Sequence, residues 1–314
     1  MPEMNYKELP VDETSIVPTE SEKGQESGHD VEDFEKLFQA YFSKRPEKEN
    51  AVRIKSLVQA VQNIDQAESE KEIDQIYEQI QSGVISGSAD DYHNAAVGFS
   101  RRQQNERAVR VCKVGLKKWP DNIDLNADAL TYAMDAGLTD ELEELAAALQ
   151  KNCPDRSRWN WRGFRFLFLY YIKVKPDGYE EKTKTLIEEY KKYIPADERA
   201  YMCEYERYQG LGKPDEAVQA LEEAVTNLKA PQCALTLADI YFERADYDDA
   251  IRTATLGIAY AAEPQPGIRT SYLLMLRAMA KDAALLRKGN FSDKEVQEVL
   301  KEYKLAQKYA SIST

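Results

Sequence analysis

With 314 residues and a formal net charge of −13, the chain can hold one extended domain and is too acidic for non-specific nucleic-acid binding, which needs clustered Lys and Arg. Its four cysteines, Cys112, Cys153, Cys203 and Cys233, form no C-x₂-C pair and have no flanking histidines. That argues against a metal site or disulfide framework and for a reducing, cytoplasmic setting, with no cofactor implied. No N-terminal apolar segment suggests a signal peptide, and the longest apolar run, Phe164 to Ile172, is broken by Arg165 and too short for a bilayer, so no membrane partner is expected.

Residues 1–30 read as a disordered acidic tail, rich in Glu, Ser, Thr and Pro. The stretch from Tyr6 to Val11 is its one candidate linear motif, and a solvated tail is the plainer reading. Residues 31–88 read as N-terminal capping helices. Phe34, Leu37, Phe38, Tyr41 and Phe42 keep helical spacing, and Pro46 restarts a helix carrying Val52, Ile54, Leu57, Val58, Val61 and Ile64. The spacing of Ile73, Ile76, Tyr77 and Ile80 predicts a third helix over 70–81, ended by Gly83 and Gly87.

A repeat follows. Tyr92, Ala95, Ala96, Phe99, Ala108, Cys112, Gly115 and Pro120 are echoed by Asn126, Ala129, Leu130, Ala133, Leu142, Ala146, Leu149 and Pro154. Pro120 to Pro154 is 34 positions. These residues and spacings resemble the tetratricopeptide repeat. The resemblance implies an all-α fold, an α-solenoid of helix-turn-helix repeats in a right-handed superhelix with helical caps, and a concave groove lined by the first helix of each pair. The repeats are expected over residues 89–264. A small residue in the first helix faces another twelve positions later, as Ala96 faces Ala108 and Ala238 faces Ala250, so both are expected to be buried with Phe99, Cys112 and Tyr241. Gly212-Lys213-Pro214 reads as a turn into a second helix.

Two departures stand out. Pro154 to Pro195 is 41 positions, so the third repeat carries an insertion, expected near Lys173 to Tyr179. Phe164 and Tyr205 occupy positions where a small residue is expected, so their helix pairs should splay or shift register. Residues 265–314 read as a degenerate closing pair, Ile268 to Arg287 and Asp293 to Ala310, with Ser292 and Glu295 forming a capping box.

Catalysis finds little support. His29 lies in the tail, and His93 opens a repeat helix with no nucleophile or metal ligand at a telling spacing. Gly210-Leu211-Gly212-Lys213 lacks the spacing of a phosphate loop. The most unusual local sequence runs from Arg156 to Arg165. Arg158, Arg162 and Arg165 are spaced i, i+4, i+7, which places them on one helix face, with Trp161 close by. Through the resemblance, that face looks into the groove. Guanidinium beside an exposed aromatic suits recognition of carboxylates. A structural role competes with this one: one period back, Arg158 maps to Asp124 and Arg162 to Asp128, so the arginines could brace neighbouring repeats. One subset of the family holds C-terminal carboxylates with Lys and Asn, but here that face offers His93, Asn94, Val97 and Asp128, and an acidic residue is wrong for a carboxylate.

The leading expectation is a non-enzymatic adaptor that takes a protein or peptide partner in its groove. Arg158, Trp161, Arg162, Arg165 and Arg199 would meet acidic groups of the partner, and Asp124, Asp128 and Asp135 basic ones. A peptide-sensing regulator and an RNA-binding solenoid are the alternatives; the acidic neighbours speak against the second. The oligomeric state is left open.

Overall fold

Four turns within the helix pairs close in the same way, and that closure sets the architecture. The amide of Gln104 reaches back to Phe99 O (3.0 Å), Leu138 to Ala133 O (2.9 Å), Lys213 to Tyr208 O (2.9 Å) and Asp246 to Tyr241 O (2.9 Å). Each donor follows a residue in the left-handed region: Gln103 (φ 60°), Gly137 (70°), Gly212 (68°) and Ala245 (61°). This is the Schellman closure, which satisfies the last carbonyls of one helix and turns the chain sharply into the next. Glycine has no Cβ to strain there, whereas Gln103 and Ala245 hold a conformation that costs L-residues about 1–2 kcal/mol.

The computed structural model describes residues 64, 70–261 and 268–312. The expected tail and the first two capping helices lie outside the described residues, apart from Ile64. Thirteen α-helices appear among the described residues, with no strand. After α1 (Glu70–Gln81) come the pairs α2 (Ala89–Arg101) with α3 (Asn105–Leu116), and α4 (Ile123–Asp135) with α5 (Thr139–Asn152). Next are α6 (Trp161–Val174) with α7 (Tyr179–Tyr193), α8 (Glu198–Gly210) with α9 (Pro214–Leu228), and α10 (Pro231–Glu243) with α11 (Tyr247–Tyr260). The last pair is α12 (Ile268–Lys288) with α13 (Asp293–Ile312). The fold is therefore all-α, a stacked solenoid of helix-turn-helix units of tetratricopeptide type.

First helices pack on first helices from α2 through to α12, and second helices pack on the first helices to either side. Contacts recur at the repeat period. Gln232 N donates to Glu198 Oε2 (2.8 Å) and Thr236 Oγ1 lies 4.0 Å from Met202 Sδ, each pair 34 residues apart. Local chemistry starts the helices. Ser88 and Asp91 form a reciprocal capping box on α2, Asn122 caps α4, Asn160 caps α6 and Asp197 caps α8. Pro214 and Pro231 sit in the first turns of α9 and α10, where a missing N–H costs nothing.

The small residues do what the repeat requires. Ala96, Phe99, Ala108, Cys112, Ala238 and Ala250 are completely buried. Tyr241 departs from expectation: it is only half-buried, because its hydroxyl reaches Glu222 Oε1 (2.6 Å) at the surface. Phe164 is fully buried by stacking flat on Tyr190 of α7, with ring centroids 4.8 Å apart and planes 10° apart. Tyr205 stays half-buried at the edge of its helix pair.

The 41-residue interval has two local causes. Before α6 the chain makes a short 3₁₀ turn, Arg156–Arg158, pinned by buried Trp159, whose Nε1 donates to Cys153 O (2.8 Å). After α6, Lys175 (φ 51°) and Gly178 (φ 71°) carry the chain into α7, inside the expected insertion. The closing pair matches its expected limits to within two residues. Ser292 N donates to Glu295 Oε2 (2.7 Å), and Glu295 N to Ser292 Oγ (3.3 Å). The face of α13 carrying Glu298, Lys301, Lys304, Gln307 and Lys308 is exposed and polar, as a terminal repeat requires.

Candidate functional site

Asn160 decides where the arginines point. Its side chain accepts from Arg162 N (3.0 Å) and Gly163 N (3.3 Å), so α6 begins at Trp161. Arg158 therefore precedes the helix and sits in the 3₁₀ turn, which corrects the expectation of a three-arginine ladder on one helix face. It is largely exposed and lies 3.9 Å from Asp121, not beside Asp124.

The two remaining arginines point in opposite directions along the stack. Arg162 reaches back to α4, with NH1 donating to Asp128 Oδ1 (2.6 Å) and Nε 3.9 Å from Asp124 Oδ1. Asp128 is 1 % exposed. Its second oxygen, Oδ2, is hydrogen-bonded to Nδ1 of His93 on α2. A carboxylate only accepts, so His93 carries its proton on Nδ1. One buried carboxylate thus ties three successive first helices together, and both its oxygens are occupied. Asp124 accepts a bond from Asn160 Nδ2 (2.8 Å). Arg165 reaches forward to α8 and makes a bidentate pair with Glu206 at 2.9 and 2.8 Å. Burial opposes the Arg165 charge, but Glu206 and Cys203 outweigh it and raise the guanidinium pKa.

Trp161 and Arg199 remain. Trp161 is half-buried at the first turn of α6. The Arg199 guanidinium of α8 stacks over its ring at 4.5 Å, the Arg162 guanidinium lies at 5.2 Å, and Phe166 meets it edge-on with centroids 5.9 Å apart. The Arg199 side chain is 52 % exposed. Its carboxylate neighbour, Asp197 at 3.2 Å, also caps α8 and accepts from Tyr190 (2.9 Å). Burial, reinforced by that carboxylate, pushes the Tyr190 hydroxyl pKa upward. Asp135, the last residue of α4, is exposed.

The predicted residues therefore separate. Arg162, Asp124 and Asp128 form one internal cluster, Arg165 joins Glu206, and Trp161 joins Arg199. Arg158 and Asp135 belong to none of these. Sequence reasoning placed His93 on the same face as Asp128 without pairing them and passed over Glu206, and both carried a signal. His93 is 35 positions before Asp128, and Glu206 is 41 after Arg165, the length of the expanded repeat. Among the described residues no cluster of His, Cys, Asp and Glu could hold a metal ion, and no helix is long and apolar enough to cross a membrane.

No protein-family model matches the chain, and no curated protein is similar enough in sequence to count as a relative. Solved structures are similar in fold. The thermophilic tetratricopeptide repeat protein TTC0263 of Thermus thermophilus is 18% identical, with 63% of this chain and 100% of that one covered and a TM-score of 0.44. A tetratricopeptide repeat protein of Parabacteroides merdae is 13% identical, with 80% and 99% covered and a TM-score of 0.46. PilF of Pseudomonas aeruginosa is 16% identical, with 70% and 96% covered and a TM-score of 0.46.

Proposed function

We propose that the chain is a non-catalytic interaction scaffold of the cytoplasm that receives a protein or peptide partner on the face shared by its first helices. Helices that touch along one row while the intervening helices do not form the inner side of a curved stack, which supports a groove on that side. The observation that carries the reading is the state of the charges there. Asp128 and Arg162 satisfy each other, Arg165 is paired with Glu206, and Arg199, though it meets both oxygens of Asp197 at 3.2 and 3.3 Å, alone of the first-helix arginines singled out by sequence keeps its side chain half in solvent. Stacking on Trp161 holds its guanidinium in place, so gripping a carboxylate orders little that is not already ordered. The partner segment at this point is acidic.

A peptide array of paired acidic and basic sequences, probed with the full chain, tests this. Acidic peptides should be retained preferentially, and Arg199→Ala should weaken the best of them by at least about tenfold, equivalent to 1.4 kcal/mol, with an unchanged melting curve. Equal retention of both sets, or indifference to Arg199→Ala, would remove the proposal.

A further inference from the structure

The connections that lead from each second helix into the next first helix lie along one edge of the stack, and contacts run from one to the next. Asp121, before α4, lies 3.9 Å from Arg158, before α6. Arg199 in the first turn of α8 stacks on Trp161 in the first turn of α6. Glu198 of α8 accepts from Gln232 N of α10 (2.8 Å) and lies 3.6 Å from Arg269 of α12. The edge carries a cation at every step. Lys118, Arg158, Arg199, Lys229 and Arg269 come from successive connections or the first turns that follow them, and all are exposed. All three tryptophans of the chain lie here too. Lys118, Arg156 and Arg199 stand over Trp119, Trp159 and Trp161 at 5.9, 3.7 and 4.5 Å, so part of the row is held in place before a partner arrives.

Helix stability accounts for only part of this row. Lys118 and Lys229 follow the C-termini of α3 and α9, where a helix dipole favours a cation. Arg199 and Arg269 are the second residues of α8 and α12, where the dipole disfavours one. The carboxylates beside the arginines are divided among several donors. Asp197 caps α8 and accepts from Tyr190 as well as from Arg199, and Glu198 serves both Gln232 and Arg269. A guanidinium has several N–H donors, so one such neighbour leaves others open. The side chains of Arg158, Arg199 and Arg269 are accordingly 68%, 52% and 45% exposed. Lys118 and Lys229 form no ion pair among the described residues.

We infer that this edge is the track of an extended acidic segment of the partner, lying across the stack with a carboxylate on about every third residue. Stacked helices are about 8–10 Å apart and an extended chain advances about 3.1–3.6 Å per residue, so one step of the row takes about three residues. A polyproline II segment, with three residues per turn, presents one residue in three to such an edge. Asp121, Asp155, Asp197 and Glu198 stand among the cations. They repel a continuous phosphate backbone, whereas spaced carboxylates can pass between them, which favours a peptide over a nucleic acid. The inference rests on the scaffold reading and extends it from Arg199 to the cations on either side.

The test uses three labelled peptides of about 13 residues, with Ser and Pro between the charges. The first has Glu at every third position, the second the same number of Glu in one run, and the third Lys at every third position. Fluorescence anisotropy with the full chain should show saturable binding of the spaced Glu peptide that weakens as salt rises, and binding of the other two at least about tenfold weaker. Lys118→Gln combined with Lys229→Gln should weaken the spaced Glu peptide at least about fivefold, with an unchanged melting curve. The inference is overturned if no peptide saturates, if the run of Glu binds as tightly as the spaced Glu, or if the lysine pair has no effect. It is also overturned if a single-stranded RNA of mixed sequence competes as well as the spaced Glu peptide. Arg199→Ala separates this inference from the reading it rests on. Weakening by Arg199→Ala but not by the lysine pair keeps the Arg199 contact and removes the track; the reverse keeps the track and removes the contact.

Discussion

The buried cluster around Asp128 makes a quantitative prediction. Removing one partner of a buried pair costs about 3–5 kcal/mol when the other is left without water. Arg162 keeps a quarter of its side chain in solvent, whereas the side chain of Asp128 is 2% exposed. Arg162→Ala leaves the buried carboxylate with His93 alone, and we expect a cost of about 2–3 kcal/mol. Asp128→Ala leaves an arginine that water can partly solvate, and removes an acceptor from His93, for about 1–2 kcal/mol. The double variant should be less damaged than the sum, with a coupling energy of about 1–2 kcal/mol. Urea unfolding followed by helical circular dichroism measures all three, with melting temperatures falling by about 2–4 °C per kcal/mol for an array of this size. If the two costs simply add to within about 0.3 kcal/mol, the pair is not a working interaction and the account of the cluster is wrong. His93→Ala supplies a control from outside the pair, since it also removes a bond to Asp128.

Three further outcomes are expected. Ala245→Gly should raise stability by up to about 1 kcal/mol by relieving its left-handed backbone, while Gly137→Ala should lower it by about 1 kcal/mol, although no atom lies within 4 Å of the added Cβ; urea midpoints moving the same way for both would contradict the turn assignment. Burial pushes the thiols of Cys203 and Cys233 up to about 12 and that of Cys153 to about 11, and raises Cys112 well above its ordinary value, so a thiol reagent at neutral pH should label the native chain slowly and all four sites at once in denaturant; rapid native labelling of any of them would refute that burial. Lys113, with Arg110, outweighs burial and holds the Glu141 carboxyl below its ordinary range, so its contribution is present above the unfolded pKa near about 4.3 and is lost as pH falls through the lower folded value; Glu141→Gln should cost about 0.2–1 kcal/mol at pH 7 and nothing measurable near pH 2, and a pH-independent cost would exclude the ion pair.

Much of the fold was legible because helix periodicity, caps and small-residue contacts are written within a few residues of one another. Ala96 and Ala108 mark a close approach of two helices, Ser292 and Glu295 mark a helix start, and Pro154 and Pro195 reveal the expanded repeat. Each signal survives translation into structure because it depends on neighbours in the chain. The 34-residue interval even anticipated that Arg162 would meet Asp128.

The candidate site was only partly legible, because it depends on where one helix begins relative to the next. Arg158 had the right spacing for a helix face, yet Asn160 caps α6 two residues later and strands it in a 3₁₀ turn. Arg165 lay on the same face as Arg162 and reached the other way, since the expanded repeat sets Glu206 of α8 opposite it. Gln103 and Ala245 look like ordinary helix-end residues, and their left-handed conformation is imposed by the closure of the turn. Sequence by itself determined the period, the helices and the small residues that let them approach. Only the tertiary structure decided which charges meet across the stack, Arg162 with Asp128 and Arg165 with Glu206, and that Arg199 lies over Trp161, because a side chain's partner is set by the offset between stacked helices.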